Sequence, residues 1–358
     1  MALLDGIVGH GPIGILLERE AERPAQAYLF VGPSNVGKGT VARRFAATLL
    51  CPEHGIHDGI CATCRRVLNG NHPDVTMVQP EGQAALSVVQ ARAAITKAML
   101  APVEGERKVI VLDEAGSMTD QAANAMLKTL EEPTPSTVFI LVAESEQDMP
   151  ATVASRCRTI QFGRLREEDL VDALVAQGID VDQAREVARI AGGRPGLALD
   201  LAKRPEVAKF RRVWLGVPLQ VSSHPGVAFR LAEEVMSAAD PLLEAIRERQ
   251  AAGAETDLTA AARKVLKDRN ERALRQASRS LLVAGLEILA SWYADAASAQ
   301  YAGPVRNRDV SMATLALVRP RDAVANAERV LAAVPDLRAN LRPQLVLATL
   351  FTELVPVT

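Results

Sequence analysis

Gly32, Gly37 and Lys38 stand in the stretch VGPSNVGKGT (31–40), with four residues between the glycines. That spacing suits a loop that cradles phosphates. Glycines let backbone N–H groups turn inward, the following helix N-terminus adds partial positive charge, and the lysine reaches the terminal phosphates. The position after the lysine normally carries a hydroxyl that holds magnesium, and here it is Gly39. Thr40 lies one residue further, rotated about 100° around the helix axis, so its hydroxyl is expected to point elsewhere. The loop therefore predicts a nucleotide fold while leaving open whether ATP and magnesium bind.

Asp113 and Glu114 end the apolar run KVIVL (108–112). Two acids at the end of a buried strand put one carboxylate near a metal and the other near an attacking water. Arg156 lies in the tripeptide SRC, and spacing alone gives it no role beyond a solvated or paired surface arginine. Cys51, Cys61 and Cys64 cluster, whereas Cys157 stands apart as a small buried residue. This spacing favours metal binding over disulfides. A structural zinc site needs four ligands, and His54, His57 and His72 lie close by in sequence.

The elements that must position these residues alternate. β-Branched runs at 27–31, 74–78, 108–112, 137–143 and 158–162 read as strands, with helices at 38–50, 87–100, 118–131 and 148–154. The pattern predicts an α/β fold with a mostly parallel sheet flanked by helices, its strands buried on both faces. After Phe162 the chain turns helical. Segments 166–178 and 180–193 place apolar residues at helical spacing and end in glycine. The expected organisation is a phosphate-loop domain at 1–164 with a cysteine insert at 51–67, a small helical unit at 165–204, and an all-α domain at 205–358.

Composition sets the outer bounds. The chain has 358 residues, 48% hydrophobic and 23% charged, suggesting two or three domains. Aromatic residues are only 3%, which argues against a row of base-stacking rings. A formal charge of -2 gives no global pull toward nucleic acid or membrane. No secretory signal is legible, and no apolar segment is read as long enough to span a membrane, so a cytoplasmic protein is expected. Arg263, Lys264, Lys267, Arg269, Arg272, Arg275 and Arg279 form the densest basic stretch, read as a solvated face or as a contact for DNA backbone or an acidic partner.

Together the segments IVGHGPI, GPSNVGKGT, NHPDV, KVIVLDEA, NAMLKTLEEPTPSTVFILVA, SRC and GGRPGLAL resemble the bacterial clamp-loader family of AAA+ proteins over about residues 1–200. LRPQLVLATLFTEL also looks like the last helix of that family's collar domain. The resemblance implies an AAA+ domain, a helical lid and an all-α collar that serves oligomerisation. It implies partner subunits of gamma/tau and delta types, the replicative DNA polymerase III, and a sliding clamp and primer-template DNA reached through the complex. It gives Arg156 the role of a trans-acting finger in a neighbour's ATP site, a task suited to a permanently charged planar fork. A subunit that only donates this arginine needs no hydrolysis of its own, so Gly39 is tolerable.

Family members that hydrolyse ATP carry a lid arginine where this chain has Pro195, with Arg194 offset, and a sensor residue that falls here at Glu144 or Ser145. The retained Lys38, Asp113 and Glu114 keep the motor reading, a gamma/tau-type ATPase, in view. The family's zinc module has four cysteines. Cys61 and Cys64 fit its register, but the next position is Val67, so the module either binds zinc with another ligand or holds no metal.

Overall fold

The computed structural model describes Leu4 and residues 9–56, 61–80, 85–202, 206–252, 260–307, 309–338 and 341–356. Its contacts divide the chain into two compact units, Met1–Ala173 with Gly193–Gly196, and Leu174–Gly192 with Leu197–Thr358.

The first unit runs α1 (Gly11–Glu22), β1 (Ala27–Val31), α2 (Lys38–Leu50), α3 (Ala62–Leu68), β2 (Val75–Val78), α4 (Val88–Met99), β3 (Lys108–Leu112), α5 (Asp120–Glu131), β4 (Thr137–Ala143), α6 (Ala151–Ala154) and β5 (Arg158–Gln161). All five strands are parallel, in the order β2-β3-β4-β1-β5. They fall within one residue of the bounds read from the sequence. Helices α1 and α3 go beyond that reading.

Strand alternation divides the core. Tyr28 and Phe30 of β1, Val109 and Val111 of β3, and Val138, Ile140 and Val142 of β4 face Phe45 of α2 and Leu17 of α1. The intervening Leu29, Ile110, Leu112, Phe139 and Leu141 face Ala91 of α4 and Met126 and Leu130 of α5. Because side chains on a strand alternate, a strand with helices on both faces must be apolar throughout, and β1, β3 and β4 are fully buried.

Register then sets the site. Val31 pairs with Ala143, and Leu112 with Leu141. Gly32, Asp113 and Glu144 therefore follow the carboxyl ends of the adjoining strands β1, β3 and β4. That is the edge of an open parallel sheet where ligands bind.

In the second unit the described elements are helical. After α7 (Glu167–Ala176), which bridges the division in sequence, come α8 (Val181–Ala191), α9 (Pro195–Leu201), α10 (Glu206–Gly216), α11 (Pro225–Ser237), α12 (Asp240–Ala252), α13 (Ala260–Ala299), α14 (Met312–Leu315), α15 (Pro320–Ala332), α16 (Val334–Arg338) and α17 (Pro343–Glu353). Helix α8 stops at Gly192, whose left-handed φ of 56° suits a C-terminal cap. At Gly285 of α13 a side chain would meet the indole of buried Trp214, so the glycine permits the close approach of α10.

One expectation is corrected here. Asn270–Ala299 of α13 is long and apolar enough to cross a membrane by length and composition. However, 78% of its most apolar window is buried within the fold, where it packs against α10 and α15. Leu281, Leu286, Leu289 and Trp292 account for that apolarity as core residues.

Candidate functional site

The loop between β1 and α2 is built as its glycines require. Gly32 has φ 149° and a side chain there would sit 2.2 Å from the Phe162 carbonyl oxygen. Gly37 caps α2 at φ 102°, a conformation that side-chain-bearing residues rarely adopt. Asn35 is also left-handed, with φ 61°. Lys38 is buried, and its Nζ donates to the carbonyls of Gly32 at 2.5 Å and Pro33 at 2.6 Å.

The metal-binding half of the site is incomplete. A side-chain carbon built on Gly39 would lie 3.8 Å from Asp113 Oδ2, whereas Thr40 is exposed. Position 39 is thus the one that faces the acid, and it has no hydroxyl to offer. Asp113 Oδ2 accepts instead from Gln79 Nε2 at 3.0 Å, and Gln79 is fixed in turn by Gln90 Nε2 bonding its carbonyl at 2.7 Å. Glu114 is exposed and left-handed, φ 53°, with its carbonyl accepting from Ser117 Oγ at 2.8 Å. A glutamate in that region carries backbone strain of about 1–2 kcal/mol.

Three residues that sequence reasoning did not assign to the loop also hold it. His10 is buried, its ring edge against Phe162, and Nε2–H donates to the Val36 carbonyl at 2.8 Å. Burial lowers the His10 pKa, with the Val36 bond opposing, so the ring is neutral over most of the physiological range. Glu144, one of the two candidates for the sensor position, accepts a short bond from Ser34 Oγ, so a carboxylate is tied to the loop itself. Gly196 N–H donates to the Asn35 carbonyl at 3.1 Å, which seats GRPG (193–196) on the loop. His10 and Gly196 lie in segments carrying the family resemblance, and Glu144 at one of its two candidate sensor positions; the contacts themselves are tertiary.

Arg156 follows α6 at an exposed edge of the same unit. Its NH1 donates to the Thr152 carbonyl at 2.7 Å, and its NH2 pairs closely with Glu131 at the end of α5. The side chain remains 34% exposed.

Cys51, Cys61 and Cys64 come together, all three sulfurs lying within 4.8 Å of one another, so the cluster can bind a metal ion. Cys51 and Cys61 sulfurs are 3.9 Å apart. Tetrahedral zinc with bonds of about 2.3 Å separates its sulfurs by about 3.8 Å, so the spacing fits. Burial opposes ionisation of Cys61. Bonds from the Cys64 N–H, from the Cys64 and Cys51 thiols and from the Thr63 N–H outweigh it and lower the thiol's pKa. Burial, with the adjacent Cys61 and Cys51 thiols, pushes Cys64 upward. Val67 is buried in the core beside Cys64. His72 is not grouped with the three sulfurs, its Nδ1 accepting from Asp74 N–H at 3.2 Å, and His54 is exposed. His57 lies outside the described residues. Cys157 is removed from the cluster, and burial pushes its thiol up to about 12.

With this geometry in view, the likeness to known proteins is specific. Residues 16–166 match the family described as "DNA polymerase III, delta subunit". The delta' subunit of DNA polymerase III from Bacillus subtilis is 33% identical over 193 residues, covering 54% of this chain and 58% of that protein. Over that part the chain is similar to delta prime subunits of DNA polymerase III. The delta' subunit from Pseudomonas aeruginosa is 38% identical over 136 residues, covering 37% of this chain and 42% of that protein. The tau subunit of Bacillus subtilis is 35% identical over 150 residues, covering 41% and 26%. The chain thus spans about half the length of the delta prime relatives it matches, and the family-matched stretch 16–166 contains the phosphate loop, the cysteine cluster and Arg156.

Proposed function

We propose that this chain is a clamp-loader subunit of the bacterial replicative DNA polymerase, acting in the cytoplasm as a scaffold that donates Arg156 to a neighbouring ATPase subunit. The observation that carries this is the pairing of a metal position without a hydroxyl, Gly39 opposite Asp113, with an anchored yet exposed Arg156. The partners are subunits of gamma/tau and delta types. The sliding clamp and primer-template DNA are engaged through the assembly.

In that role Arg156 stabilises the charge that develops on a transferring phosphoryl group in the neighbour's site. The loop of this chain keeps its shape through Lys38, His10 and Glu144 and runs no chemistry of its own. Its bonds from Lys38 to loop carbonyls and from Ser34 to Glu144 engage groups that a bound triphosphate would otherwise use. Helices 165–204 act as the lid, and 205–358 as the collar for assembly. Zinc is held by Cys51, Cys61 and Cys64 as a structural ion that clips the start of α3 to the end of α2; a fourth ligand completes its coordination.

A second reading, an ATP-hydrolysing motor of gamma/tau type, is favoured by the retention of Lys38, Asp113 and Glu114. The two separate in the purified chain. ATP turnover abolished by Lys38→Ala marks a motor; no turnover, together with co-purification with a tau-type ATPase, supports the scaffold.

A further inference from the structure

We infer that Glu131 is a positioning residue that sets the direction of Arg156 for its work on a neighbouring subunit. This rests on the proposed donation of Arg156 and adds the device that aims it.

An arginine side chain has many rotamers, and one that must meet a phosphate across a subunit boundary gains from being ordered beforehand. Arg156 is tied by two elements, with a further long contact from NH1 to Ser155 Oγ at 3.5 Å. Its NH1 takes the Thr152 carbonyl on α6 at 2.7 Å, and its NH2 takes the Glu131 carboxylate on the last turn of α5. The first bond is local, four residues back. The second spans 25 residues of sequence and fixes the plane of the fork. Glu131 is itself well placed to hold still. Its helix is capped by Thr119 Oγ1 accepting from Ala122 N–H at 3.2 Å, and it is anchored by buried Met126 and Leu130.

The pair does not read as a stabilising core contact. Glu131 is 48% exposed and Arg156 34%, and such surface pairs add little to folding. The guanidinium has five N–H donors in a fixed fork, and its bonds to Thr152, Ser155 and Glu131 occupy only part of that set. Glu131 therefore aims the arginine without consuming it.

The test uses the full chain assembled with its ATPase partner, measuring the partner's steady-state hydrolysis for Glu131→Ala, Glu131→Gln, Arg156→Ala and the double variant Glu131→Ala/Arg156→Ala. Positioning predicts that Glu131→Ala lowers kcat about three- to tenfold with KM changed less than about twofold, and that the double variant is no slower than Arg156→Ala alone. Glu131→Gln keeps a carbonyl acceptor and is expected to recover at least about half of the rate, with all variants melting as the wild type does. If Arg156→Ala is impaired while Glu131→Ala matches or exceeds the wild type, the positioning role is overturned and the donation stands. Additive losses in the double variant also overturn it. If Arg156→Ala leaves hydrolysis intact, donation fails and the positioning role falls with it.

Discussion

A side-chain carbon on Gly39 would lie 3.8 Å from the Asp113 carboxylate, with no other contact within 4 Å among the described residues beyond its chain neighbours and its own helix backbone. The space for a hydroxyl that faces the acid is present, and the hydroxyl is absent. Gly39→Thr is therefore expected to fit without repacking and to restore a magnesium ligand. Fluorescent ATP-analogue titration should show magnesium-dependent binding at least about tenfold tighter than in the wild type, about 1.4 kcal/mol. No change in affinity would mean that Glu144 and Lys38, rather than Gly39, close the loop.

Asp74, fully buried, ties the approach to β3. Its carboxylate accepts backbone N–H bonds from Val103 at 2.6 Å, Glu104 at 2.9 Å and Gly105 at 3.0 Å. Burial alone would raise its pKa, but the three donors outweigh burial and lower it. A carboxylate depressed in the folded state adds stability above its unfolded pKa, about 3.9, and loses it as pH falls through the folded value. Asp74→Asn should cost about 2 kcal/mol in urea unfolding at pH 7, and the gap to wild type should narrow below about pH 4. A gap that is flat with pH would deny the carboxylate this role.

Metal content offers a separate check on the cysteine cluster. The purified chain is expected to carry one zinc per molecule by elemental analysis, and Cys61→Ser should remove it. Chelation should lower Tm by several degrees in the wild type and leave Cys61→Ser unmoved. Three freely titrating thiols with no metal in the untreated protein would show a cluster that packs without binding.

β1, β3 and β4 were legible because each is apolar on both faces, whereas half-buried β2 and largely exposed β5 were legible as short β-branched runs between helical patterns. Gly39 and Asp113 were legible for a similar reason: loop and strand are local patterns. Helix α1 was hidden by Gly11, Pro12 and Gly14 at its start, and α3 by the cysteines around it. The apolar tract of α13 was read short because its charged N-terminal half masks the run beginning near Ser280. The contacts of His10 with Val36, Ser34 with Glu144, Asn35 with Gly196 and Glu131 with Arg156 join distant segments, and no spacing rule announces them. Each exists only once the parallel sheet has brought its strand ends together.

The direct test of the central claim is DNA-stimulated ATP hydrolysis by the reconstituted assembly, compared for wild type, Lys38→Ala and Arg156→Ala of this chain. Donation across a subunit boundary predicts that Arg156→Ala lowers hydrolysis at least about tenfold without loss of assembly, while Lys38→Ala stays near the wild-type rate. Equal losses from both changes, or brisk hydrolysis by the isolated chain that Lys38→Ala abolishes, would contradict it.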